Sequence, residues 1–139
     1  MLGNYNQAIQ WFDELIIQAP EWERPVMNKG RVFLKLGRLD EAYVLFKKAE
    51  NMNINNEDLY YYLGIYYEHI NDLKAAKEAY EKSLYIHDEQ EETLLNYGRV
   101  LWKLQYVNEA ANQFLKLLAI DPNHEDALWN LGILMKRRY

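Results

Sequence analysis

Apolar residues recur along this chain at alternating spacings of three and four. Leu94, Tyr97, Leu101 and Leu104, with Gly98 among them, fall on one helical stripe. A short break follows at Gln105-Tyr106-Val107-Asn108, and a second stripe at Ala110, Ala111, Phe114, Leu117 and Leu118. Asp121-Pro122-Asn123 then stops the pattern, because proline lacks the N–H that would continue a helix. The segment therefore predicts a helix, a tight turn and a second helix.

The same unit repeats. Gly30, Gly64, Gly98 and Gly132 are 34 residues apart, and so are Gly3 and Gly37. Ala8, Ala42, Ala76 and Ala110 keep that spacing, as do the rings Phe12, Phe46, Tyr80 and Phe114. Pro20 and Pro122 share one phase of it. The units divide the chain into 1–22 (a second helix only), 23–56, 57–90, 91–124 and 125–139 (a first helix only), hence eight helices. The glycine phase faces the following helix and the alanine phase faces back, so that the paired helices approach closely. Gly37 and Asn71 mark the end of first helices, where a left-handed residue is expected. Asn6, Asp40 and Asn108 are expected N-caps of second helices. Lys74 stands in that place in the middle unit and cannot cap, so that helix start is expected to fray. Leu128, Leu131, Leu134 and Met135 are expected to lack a covering partner.

Composition narrows the chemistry. The chain has 139 residues, half of them apolar, and no cysteine, which excludes a disulfide scaffold, a thiolate metal site and a thiol nucleophile. The net charge of -5 argues against a nucleic-acid partner. No apolar run approaches the roughly 18 residues of a membrane span, and the first residues lack a signal-peptide pattern, so a cytoplasmic protein without membrane contact is expected. His69, His87 and His124 lie far apart along the chain and share no helical face; His87 and His124 are expected to be solvated at loop ends. The acidic pairs Asp13-Glu14 and Asp40-Glu41 diverge around a helix and read as first-turn charges. No phosphate loop or nucleophile elbow is present. No enzyme activity, metal or cofactor is implied.

The pattern resembles the tetratricopeptide repeat family, whose 34-residue unit carries Leu-Gly, Tyr, Ala, Phe and Pro at set places. The match runs through Tyr60, Leu63, Gly64, Tyr67, Ala76 and Tyr80, and again through Leu94, Tyr97, Gly98, Leu101, Ala110, Phe114 and Pro122. In the first unit it reads Val26, Lys29, Gly30, Phe33, Ala42 and Phe46, with Lys29 in place of Leu; Ile54 and Asp88 replace the final Pro. The resemblance implies an all-α fold, a right-handed alpha-alpha superhelix of eight antiparallel helices. It also implies a non-enzymatic protein–protein interaction scaffold that binds a peptide in a concave groove lined by the first helices.

On that frame the groove candidates are Asn28, Arg31, Tyr61, Tyr62, Asn96, Arg99, Trp102, Lys103, Trp129 and Asn130. Asn28, Asn96 and Asn130 share one phase, interrupted by Tyr62, and an amide there offers both a donor and an acceptor. Tyr61, Trp102 and Trp129 supply large rigid area of the kind enriched at binding hot spots. Arg31, Lys35, Arg99, Lys103, Lys136 and Arg137 place cations in the groove of an acidic protein, which favours an acidic or C-terminal carboxylate segment of a partner protein. The Lys, Asn, Asn, Lys, Arg set of chaperone-binding relatives is not reproduced: its places hold Met27, Arg31, Tyr62, Glu92 and Asn96, or one unit later Tyr61, Ile65, Asn96, Asp126 and Asn130. Residues 23–56 carry +3 and 57–90 carry -5, a bipolar pattern suited to a protein ligand. Two alternatives stand beside this reading. The terminal half units could join copies head to tail into a homo-oligomer. The chain could also be the interaction region of a larger enzyme.

Overall fold

A computed structural model describes residues 2–138, with side chains for 3–136. Among the described residues there are eight helices and no strand: α1 (Leu2–Gln18), α2 (Glu23–Lys35), α3 (Leu39–Met52), α4 (Glu57–His69), α5 (Leu73–Ile86), α6 (Glu91–Lys103), α7 (Val107–Ile120) and α8 (Glu125–Arg138). The hairpins α2/α3, α4/α5 and α6/α7 pack most extensively, and each second helix also packs on the next first helix. First helices touch one another directly, α2 with α4 and α6 with α8, whereas α3, α5 and α7 approach one another less closely. The first-helix side is therefore the short, concave arc and the second-helix side the long, convex one.

Three features of the repeat build each hairpin. The first is the turn. Gly37, Asn71 and Gln105 hold φ of 76°, 61° and 70°, and the following N–H reaches back over the turn: Arg38 to Phe33 O at 2.9 Å, Asp72 to Tyr67 O at 2.9 Å, Tyr106 to Leu101 O at 2.8 Å. This is the Schellman closure of a helix end. Glycine and asparagine tolerate it; glutamine does not. Replacing Gln105 with glycine is expected to stabilise the fold by about 0.5–1 kcal/mol, the left-handed cost relieved less the entropy glycine adds to the unfolded chain. Urea denaturation should show the midpoint rise, and a fall would mean that the side chain holds the turn.

The second feature is the restart. The closure lets each second helix begin sooner than the cap pattern predicted, with Arg38, Asp72 and Tyr106 as N-caps. Asp40 and Asn108 consequently lie inside α3 and α7, and Asn6 inside α1; none is a cap. The expected fraying near Lys74 is also overturned, since the Asp72 carboxylate accepts the Ala75 N–H at 3.1 Å. Of the N-caps of α3, α5 and α7, Asp72 alone accepts a backbone N–H of its helix with its side chain.

The third is the glycine phase. A Cβ on Gly30 would stand 2.8 Å from the Phe46 ring, and one on Gly98 would stand 2.6 Å from the Phe114 ring; one on Gly64 would collide with the Tyr80 ring. The glycines thus make room for a fully buried ring rather than for the alanine of the facing helix. Gly132 has nothing within 4 Å.

The core forms two clusters. One joins residues of α2, α3 and α4 with Ala79 of α5, and the other runs from Ala76 and Tyr80 of α5 to Leu134 of α8. Tyr67 packs against both. Tyrosines fill the seam: Tyr43 stacks on Tyr66 at 4.9 Å and meets Tyr67 edge-on at 6.2 Å. Lys29, at the phase where leucine is usual, is neutralised by Asp13 of α1 at 2.7 Å. Leu134 is buried, contrary to the expectation from sequence, because α8 docks it against the second cluster. Leu128 and Met135 remain exposed.

Candidate functional site

Nine of the ten groove candidates separate into two groups, and Trp129 stands apart from both. Asn28, Arg31, Tyr61, Tyr62 and Asn96 are largely spent on one another and on neighbours. Arg31 Nη1 donates to Asn28 Oδ1 at 3.1 Å, and its guanidinium carbon lies 4.3 Å from the centroid of the Tyr62 ring. Arg31 Nε is buried without a hydrogen bond. Tyr62 meets Tyr61 edge-on at 5.1 Å, and the Tyr61 hydroxyl donates to Glu92 Oε2 at 3.2 Å. Burial first, then the Glu92 charge, pushes the Tyr61 hydroxyl up to about 12. Asn96 stands within hydrogen-bonding reach of the Tyr61 and Tyr80 hydroxyls. Arg24 bridges to Asp58 of the next hairpin at 3.3 Å. Here the concave wall is a ladder of internal bonds between successive first helices.

The second group opens. Arg99, Trp102, Lys103 and Asn130 line a single cleft of about 940 Å³, closed by Gln105, Val107 and Leu134. Arg99 and Lys103 are one helical turn apart on α6, and Asn130 reaches the cleft from α8. Arg99 is exposed, and the Lys103 side chain is more than half exposed, with Glu68 Oε1 4.0 Å from its ammonium. Glu68 also accepts a close hydrogen bond from the Tyr80 hydroxyl. Trp102 is half-buried against the second core cluster, so its ring is fixed while part of it faces outward. Asn130 is mostly buried, and its amide is oriented by donation to Asp126 O at 2.8 Å. Trp129 is 72% exposed and lies outside the cleft lining. Lys35 and Lys136 are exposed; the side chain of Arg137 lies outside the described residues.

Sequence reasoning missed Gln105, Val107 and Leu134 in this cleft. Gln105 and Val107 sit at the left-handed turn, where the chain reverses beside α8, and only the turn geometry brings them in. His124 was also misread as a solvated loop residue: its Nδ1 accepts the Ala127 N–H at 3.2 Å and caps α8. Among the described residues no cluster of three His, Cys, Asp or Glu could hold a metal, and no helix is long and apolar enough to cross a membrane.

A stack of closely paired helical hairpins with an open cleft on its inner arc defines a helical-repeat solenoid of the kind that mediates protein–protein interaction. A family model described as the Psidin N-terminal TPR repeats region matches residues 2–134, and the chain belongs to the tetratricopeptide repeat family. It is 30% identical over 108 residues to anaphase-promoting complex subunit 3 of Schizosaccharomyces pombe, covering 78% of this chain and 16% of that protein. The chain spans less than a fifth of the length of the curated relatives it matches. Its fold superposes on YrrB, described as a TPR protein with an unusual peptide-binding site, with a TM-score of 0.81, 23% identity and coverage of 99% and 71% of the two chains. It also superposes on the first TPR of Spaghetti (RPAP3) bound to the HSP90 peptide SRMEEVD, with a TM-score of 0.79, 19% identity and coverage of 84% and 92%.

Proposed function

We propose that this chain is a non-catalytic scaffold that holds a peptide segment of a partner protein on its concave face, centred on the α6/α8 cleft. The observation that carries this reading is the convergence of Arg99, Trp102, Lys103 and Asn130 on one open cleft. The two cations favour a segment bearing acidic side chains or a terminal carboxylate. Trp102 offers a rigid apolar contact, and Asn130 a pre-oriented amide. The peptide complex of the RPAP3 repeat and the peptide site of YrrB support a peptide as the ligand class. The N-terminal candidates Asn28 and Arg31 frame the wall and are secondary.

Synthetic peptides ending in Asp or Glu, with amidated and lysine-substituted counterparts, test this by fluorescence anisotropy. The Arg99→Ala, Lys103→Ala double variant is expected to weaken the acidic peptides about tenfold or more, by loss of two charges from a partly desolvated site. Asn28→Ala should change affinity by less than about twofold, as a rim contact would. Equal binding of acidic and basic peptides, or a dominant effect at Asn28, would sink the assignment.

A further inference from the structure

The convex face carries chemistry that the concave cleft leaves unused. Tyr85 is 92% exposed on α5 and stands as a ridge between two furrows. The first, about 790 Å³, lies between α3 and α5 and includes Ile54, itself 66% exposed. The second, about 710 Å³, lies between α5 and α7 over a floor of Leu94 and Tyr97. Both are as large as typical ligand clefts, and their existence follows from the looser spacing of the second helices. Packing inside this chain does not account for an apolar ring left so open on the ridge. The second furrow is rimmed by Glu81, Asp88 and Glu89 against the single cation Lys116. Glu81 is engaged by Lys77 at 3.2 Å, while Asp88 and Glu89 are fully on the surface. The sign of this rim is opposite to that of the α6/α8 cleft.

We infer that the convex furrow between α5 and α7, with Tyr85 as its anchor, is a second docking surface, for a basic amphipathic segment of a partner protein. Its apolar side chains would enter the furrow beside Tyr85, and its lysines or arginines would face Asp88 and Glu89. Charge complementarity selects this occupant: an acidic segment would bring like charges against the rim. Tyrosine supplies large area for little lost side-chain freedom, the property that makes it common at hot spots. The inference is independent of the concave reading, and the two together describe an adaptor that holds partners of opposite charge on opposite faces.

The probe is a panel of synthetic amphipathic helices of about 15 residues, four turns, with leucine or phenylalanine anchors and lysine flanks. A matched panel carries glutamate flanks. Tyr85→Ala and the Asp88→Lys, Glu89→Lys double variant change only exposed side chains, and circular dichroism confirms their fold. The basic panel should bind the wild-type chain, and each variant should weaken it about tenfold. The Arg99→Ala, Lys103→Ala variant should leave it unchanged, and rising salt should slow association. Several results would overturn the inference: no binding by the basic panel, equal binding by the glutamate panel, or indifference to Tyr85→Ala. Loss of binding in the Arg99→Ala, Lys103→Ala variant would place the peptide in the cleft instead. Self-association abolished by Tyr85→Ala would make the occupant a second copy of the chain and overturn the assignment to a basic partner.

Discussion

Gly64→Ala is expected to destabilise the protein by about 2 kcal/mol, while Gly132→Ala, at the same phase of the repeat, stabilises it by about 0.5–1 kcal/mol. Two terms decide the sign. Alanine is the better helix former at both places, by about 1 kcal/mol. At Gly64 the new methyl would meet three atoms of the Tyr80 ring, Cδ1 and Cζ at 2.6 Å and Cε1 closer still. That ring cannot yield: it is fully buried, and its hydroxyl is tied to Glu68. The helices must separate instead, and overpacking of this kind costs about 1–3 kcal/mol or more. We take the upper end, because the contact involves a rigid ring and not the tip of a flexible chain. At Gly132 nothing lies within 4 Å, so only the propensity term remains. Urea denaturation of the two variants beside wild type reads the difference directly. Equal shifts would mean that the glycine phase serves the backbone and not the rings.

The second large effect is alkaline unfolding. Tyr60, Tyr61, Tyr62, Tyr66, Tyr67, Tyr80 and Tyr97 all have hydroxyls pushed above their ordinary value, chiefly by burial. Nearby carboxylates add to this: Glu50 beside Tyr60, Glu92 beside Tyr61, Glu68 beside Tyr80 and Glu81 beside Tyr97. Tyr60 and Tyr61 are raised to about 12. A raised folded value means that the fold favours the neutral phenol. The stability is therefore fully present below the unfolded value of about 10 and is lost as pH rises through the folded values. Each fully shifted group removes up to about 1.4 kcal/mol per pH unit in that window, and the half-exposed rings of Tyr61 and Tyr62 remove less. Helical circular dichroism should collapse between about pH 10 and 12. Tyr97→Phe should move the midpoint upward, since the variant keeps the ring and removes one titrating group. A transition that stays flat to pH 12 would show the seam to be more hydrated than its packing indicates.

The architecture was legible because periodicity multiplies weak signals. A single glycine in a helix means little, but four at one spacing, each followed sixteen residues later by a ring or by the end of the chain, identify a hairpin. The left-handed turn was legible at Gly37 and Asn71, whose residue types announce it, and hidden at Gln105, whose type opposes it. The caps were misplaced because the Schellman closure starts each second helix earlier than the polar residues suggest. For the concave face, phase alone brought Arg99, Trp102, Lys103 and Asn130 together. It could not show that Arg31 would lie over the Tyr62 ring, or that Tyr61 would reach Glu92. Those links depend on how one hairpin is tilted on the next, and tilt leaves no mark in a pattern of residue types.

Among the described residues, the helices pack chiefly on their near neighbours along the sequence. Energetically the molecule behaves as a row of coupled units rather than as one body. Ordering one hairpin restricts only short stretches of chain, so assembly can start anywhere and spread outward, and folding is quick for a chain of this length. The same locality makes the surface modular. Duplicating a unit lengthens both faces by one step without rebuilding the interior, and each added step can take its own charge.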